Sequence, residues 1–174
     1  MAGPVEVVYE GDTEASQATG ELDQLVRTGE QEISSVTGQL LWDYDQGMVT
    51  LDAPRAQGIC GFPGEDPYEL SDVTITTIND YVVVNVVSMD DQPLNASEKV
   101  LIQVGTVYRP DGWQETATTF APSEGAEEVE GFRIESLGQM PWKAANTLVK
   151  VDIRNPEVRS AWVLDAAGYE AREA

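Results

Sequence analysis

Carboxylates are the one reactive side chain this sequence supplies in quantity: its 174 residues hold 31 Asp and Glu, one Cys and no His. Without an imidazole there is no Ser-His-Asp or Cys-His relay and no histidine zinc site. A single thiol builds neither an intrachain disulfide nor a cysteine metal cluster. Gly58-Ile59-Cys60-Gly61 has neither the spacing nor the following Lys of a phosphate-binding loop. Cys60 therefore reads as a small buried hydrophobe. Carboxylates in pairs can flank a glycosidic bond. None of them stands in an apolar stretch that would raise its pKa, so no catalytic residue is assigned. A carboxylate-dependent glycoside hydrolase stays a remote alternative. Asp43 with Asp45, and Asp90 with Asp91, are oxygen pairs of the kind Ca²⁺ takes, but no EF-hand spacing accompanies them. Their expected role is turn formation; no metal ligand is assigned and no cofactor is expected.

Aromatic side chains are the second set, because sugar rings stack on exposed indoles. Trp113 follows Pro110-Asp111-Gly112 and stands beside Gln114 and near Tyr108, and Trp142 follows Met140-Pro141. Loops would present these to solvent, so Trp113, Trp142 and Tyr108 are the candidate carbohydrate-binding residues. Trp42, after Leu40-Leu41, and Trp162, before Val163-Leu164, are expected to pack in the core.

The elements that must position these residues are strands. At 41% apolar and 24% charged, the composition is that of a globular chain of one domain. Residues 4–9 alternate as an edge strand would, and residues 21–28 are the one helical candidate, with Leu22, Leu25 and Val26 on one face and Arg27 before Gly29. From residue 33 onward, short β-branched runs separated by turn signals predict an all-β, antiparallel, jelly-roll-like sandwich. The division expected is 1–32 as an N-terminal strand, linker and short helix, and 33–174 as the sandwich. Residues 38–44 and 48–52 form a hairpin around Asp45-Gln46-Gly47. Residues 81–88, with Val82, Val83, Val84, Val86 and Val87, read as a central strand buried on both faces, paired with the strand at 99–108. Residues 109–112 read as a turn, residues 121–130 as an exposed loop, and 132–137, 147–153 and 160–164 as the closing strands.

A formal charge of −21 repels phosphate, so nucleic acid is excluded as a partner, and anionic membranes are disfavoured for the same reason. Membrane insertion is not expected, because no long apolar stretch is present. The acidic surface suits a soluble extracellular protein. The first residues lack the basic and apolar segments of an export signal, so a secreted protein of this sequence is expected to be a mature chain or an excised module.

In order and spacing, several segments look familiar. Gly38-Gln39-Leu40-Leu41-Trp42-Asp43, then Gly47-Met48-Val49-Thr50-Leu51-Asp52-Ala53-Pro54-Arg55-Ala56-Gln57-Gly58 and Gly61-Phe62, open the series. Ser88-Met89-Asp90-Asp91-Gln92-Pro93-Leu94 with Ser97, and Val163-Leu164-Asp165-Ala166-Ala167-Gly168-Tyr169, complete it. From about residue 38 to 169 the chain resembles the accessory, non-catalytic β-sandwich domains of large extracellular microbial glycoside hydrolases. The likeness does not extend to the loop at Arg109-Pro110-Asp111-Gly112-Trp113, nor to a catalytic barrel. It implies a module associated with a carbohydrate-active enzyme, structural or polysaccharide-binding, whose partner is a polysaccharide or a glycoside hydrolase catalytic domain. The alternative is an extracellular, adhesin-like interaction domain unrelated to sugars, which a large apolar patch or a long open edge strand would favour. Arg55 and Gln57 are expected to tie their loop to neighbouring backbone carbonyls.

Overall fold

The computed structural model describes residues 25–123, 125–165 and 167–174. In chain order the strands are β1 (Val26–Arg27), β2 (Glu32–Ser34), β3 (Leu40–Asp43), β4 (Met48–Ala53), β5 (Ala56–Gly61), β6 (Tyr68–Glu69) and β7 (Val73–Thr77). They continue as β8 (Val82–Ser88), β9 (Val100–Gly105), β10 (Tyr108–Phe120), β11 (Val129–Ala144), β12 (Val149–Ile153), β13 (Trp162–Leu164) and β14 (Glu170–Glu173). Every pairing among them is antiparallel, and the fold is all-β. The described residues divide into two compact units, one of 25–105 with 147–174 and one of 106–146.

The first unit is the sandwich. A seven-stranded sheet runs in the order β1-β2-β3-β4-β5-β8-β9, and a second sheet runs β12-β7-β6. Alternation explains how they meet. On β8, Val82, Val84 and Val86 lose all exposure, as do Val73 and Ile75 on β7. Met48, Ile59 and Leu94 complete this core, with Val149, Val151 and Ile153 of β12 packed against it. The hairpin predicted at Asp45-Gln46-Gly47 is present, with Gly47 at φ 74°. The predicted pairing of 81–88 with the strand that follows is β8 on β9. Gly58 marks the closest approach of β5 to β8, where a Cβ would lie 2.1 Å from the Val84 carbonyl oxygen.

One end of the sandwich is closed by the loop between β8 and β9. Leu94 is fully buried, its N–H donates to the Pro54 carbonyl (2.7 Å), and its carbonyl accepts from Asn155 Nδ2 (2.6 Å). Asn155 Nδ2 also reaches the Ser97 carbonyl at 2.7 Å, so one side chain after β12 fastens both ends of the plug.

The second unit is a two-stranded ribbon of β10 and β11. Residues 109–112, with the composition of a turn, lie inside β10 instead. The ladder slips there: Pro110 faces Trp142, and the next residue, Asp111, faces Gln139. Gly112 and Gly138 take positive φ across from each other, and a Cβ on Gly138 would lie 2.4 Å from the Asp111 carbonyl oxygen. Proline and glycine thus serve an irregular stretch of ladder here, where a missing N–H and a left-handed residue are tolerated. Gly138 and Pro141 likewise fall within β11, so the strand expected at 132–137 runs on to Ala144.

Further expectations are corrected. Helix 21–28 does not extend through its second half, because Val26 and Arg27 pair with Ile33 and Glu32; residues 21–24, like the edge strand at 4–9, lie outside the described residues. β8 is flanked by β5 and β9, one strand in from the sheet's edge, and its outward residues Val83, Asn85 and Val87 are only half-buried, because the second sheet covers the inward side alone. Trp42 and Trp162 are exposed, and Cys60 is half-exposed beside the Tyr81 hydroxyl.

Leu94→Ala empties a site the sheets cannot collapse to fill, and is expected to lower unfolding stability by about 2–5 kcal/mol, measured by urea denaturation.

Candidate functional site

The three candidate aromatics all lie on the β10–β11 ribbon, and the ribbon does not bring them together. Paired residues in an antiparallel ladder share a face, and alternate residues along a strand do too. Tyr108 faces Ala144 and Pro110 faces Trp142, so Tyr108 and Trp142 are diagonal neighbours on one side, 54% and 58% exposed. Arg109, paired with Lys143, points to the other side. Its guanidinium lies over the Trp113 ring, 4.9 Å from the centroid, which puts Trp113 on Arg109's side. The Trp113 indole N–H donates to Glu115 Oε2 at 2.7 Å. Cation–π contact and hydrogen bond together leave that ring half-buried and one of its faces occupied. Lys143 Nζ lies 2.5 Å from Asp111 Oδ1 and holds that carboxyl below its ordinary pKa. Beyond the slip, Trp113 shares its side with Leu137, Ile134 and Phe132, an apolar stripe the sequence reading did not single out.

A second surface was also missed. Following the ladder across the seven-stranded sheet, one outward row runs from Val26 through Ile33, Trp42, Val49 and Cys60 to Val83. The next row is Leu40, Leu51, Gly58, Asn85 and Gln103. A third is Ala53, Ala56, Val87 and Leu101. No Asp, Glu, Lys or Arg occurs in these rows, in a chain with a formal charge of −21. Trp42, on β3 in the first of these rows, is 47% exposed and meets Tyr44 edge to face, centroids 6.0 Å apart. The signal was present in the sequence, because both parities of 38–62 are apolar; only the ladder tells which parity is outward.

The carboxylates considered as ligands organise turns. Asp43 Oδ1 accepts the N–H groups of Asp45 (3.0 Å) and Gln46 (2.9 Å), closing the β3–β4 hairpin. Asp90 accepts the hydroxyls of Ser97 (2.7 Å) and Ser88 (2.9 Å) and the N–H of Glu98 (2.7 Å). Among the described residues, no group of three or more His, Cys, Asp or Glu is placed to hold a metal, and no helix is long and apolar enough to cross a membrane. Gln57 is fully buried and binds Asp72 at both ends of its amide, and the Arg55 side chain pairs with Asp91. Neither side chain reaches for the backbone carbonyls expected of it.

The Ser97 hydroxyl, with the other donors around Asp90, lowers the Asp90 pKa from 3.8 to about 2. A carboxyl depressed in the folded state contributes stability above its unfolded pKa and loses it as pH falls through the folded value. Asp90→Ala is expected to lower Tm at pH 7, and the gap from the wild type is expected to narrow as pH falls from 4 to 2, read by thermal melts across that range.

No family model, no curated protein and no solved structure matches the chain.

Proposed function

We propose that this chain is a non-catalytic, extracellular accessory module that docks through the outward face of its seven-stranded sheet onto a partner protein. The observation that carries this reading is the absence of charge from that face in so acidic a chain. Apolar area of this kind is stabilised by contact with another surface, at roughly 25 cal/mol per Å² covered. The resemblance over residues 38–169 supplies the partner class, a glycoside hydrolase catalytic domain. A scaffold role fits better than sugar stacking, because Trp113 is turned away from Tyr108 and Trp142 and its ring is engaged by Arg109. The apolar face by itself equally favours an adhesin-like module unrelated to sugars that uses it on a different partner; only the resemblance over residues 38–169 selects a hydrolase.

The test immobilises a panel of purified glycoside hydrolase barrels and measures binding of the wild type, Trp42→Lys and Trp142→Ala. Docking by the sheet face predicts binding that Trp42→Lys weakens at least about tenfold, equal to about 1.4 kcal/mol, while Trp142→Ala leaves it unchanged. A glycan array in parallel is expected to be blank, and reducing-end assays on the same glycans to find no turnover. Glycan binding abolished by Trp142→Ala would replace the docking reading with a carbohydrate-binding one, and binding to non-hydrolase proteins alone would favour the adhesin-like module.

A further inference from the structure

An open sheet edge presents unpaired N–H and C=O groups, and folded proteins blunt such edges with short strands, charge, proline or bulges. The other edges of the two packed sheets follow that rule. β1 and β6 are two residues long, and β12 carries Lys150 and Asp152. β9 does not. Val100–Gly105 contains no charged residue and no proline, and its register with β8 runs unbroken from Ser88↔Val100 to Val83↔Gly105. Among the described residues no strand pairs with its other side. The inward side chains Ile102 and Val104 are 43% and 37% exposed, so the edge offers apolar contacts as well as backbone groups.

We propose that β9 is a binding edge that takes an extended peptide segment of a partner as an added strand. Main-chain hydrogen bonds supply the pairing, and alternate apolar side chains of the segment lie against Ile102 and Val104. Charge selects the occupant. A second copy of this chain brings another −21 to the contact and is repelled, whereas a segment flanked by Lys or Arg is attracted. Lys99 stands directly before the strand with Glu98 beside it, and Asp91 in the preceding loop is paired with Arg55, so the attraction comes from the net charge of the chain and not from this end of the edge. β9 also gives Leu101 and Gln103 to the docking face, but the edge is read from its backbone and from Ile102 and Val104 on the inward side, so either proposal can fail while the other stands.

The probes are two peptides, Lys-Lys-Val-Thr-Val-Thr-Val-Lys-Lys and its counterpart with Glu for each Lys, added to the whole chain. Amide hydrogen exchange and calorimetric titration are the readouts. The basic peptide is expected to slow exchange at residues 100–105, with an affinity that falls as salt rises. Ile102→Lys and, independently, Val104→Lys are expected to weaken it at least about tenfold while exchange in β8 stays as in the wild type. Protection at β12 or nowhere, or equal protection by the acidic peptide, would overturn the proposal. So would slow exchange at 100–105 without peptide together with a doubled mass in solution, which would make a second copy the occupant.

Discussion

A buried glutamine amide left without partners costs about 1–3 kcal/mol for each unsatisfied group, and in this fold meeting that cost decides how one end of the sandwich closes. Gln57 on β5 donates Nε2 to Asp72 Oδ2 at 3.2 Å and accepts the Asp72 N–H on Oε1 at 2.9 Å. The free carboxylate oxygen of Asp72 takes Asn95 Nδ2 at 3.2 Å, and the Asp72 carbonyl takes the Arg154 N–H at 2.8 Å. One amide therefore joins β5, the turn before β7, the β8–β9 loop and the end of β12. With those four segments tied, Leu94 has one place to go, and Asp90 and Asn155 hold the loop that carries it. The polar contacts set the geometry; the valines of β7 and β8 supply the apolar burial around it.

The same arrangement creates the exposed surfaces. Three strands cannot cover seven. The core between the sheets takes in the inward side of β4, β5 and β8 and, on β9, Val100 alone, which leaves Ile102 and Val104 partly open. Nothing among the described residues pairs with the far side of β9, and the outward rows around Trp42 remain apolar and partly open.

Much of this was legible in the residues. The valine run of β8, the Asp45-Gln46-Gly47 hairpin and the pairing of β8 with β9 follow from alternation and turn chemistry, because each depends on neighbours close in the chain. Facing is harder. In 40–43, Leu40 and Leu41 are equally apolar, and Trp42 goes outward because Met48 and Ile59 take the inward positions across the ladder from its neighbours. That choice is made by strands distant in sequence. Arg109-Pro110-Asp111-Gly112 failed for another reason: a turn and a slipped ladder ask for the same residues, a missing N–H and a positive φ, and only the partner strand distinguishes them. The candidate trio is divided between the two sides of the ribbon for a related reason. Tyr108, Trp113 and Trp142 are neighbours along a hairpin, but side is set by parity and by Arg109.

Charge then reconciles an acidic chain with uncharged surfaces. Among the described residues, carboxylates such as Asp43, Asp90, Asp91 and Glu98 sit in turns, loops and strand ends, others such as Glu115, Glu135 and Asp152 lie within the smaller sheets, and no outward row of the large sheet contains one. Two copies approaching face to face or edge to edge meet this repulsion before their apolar rows touch, so an unguarded edge costs the isolated molecule little. A partner of opposite charge meets attraction over the same distance, about 8 Å at physiological ionic strength. On the proposed reading, the charge expected to repel nucleic acid also discriminates among proteins: it keeps like from like and leaves the sheet's apolar surfaces to a basic partner.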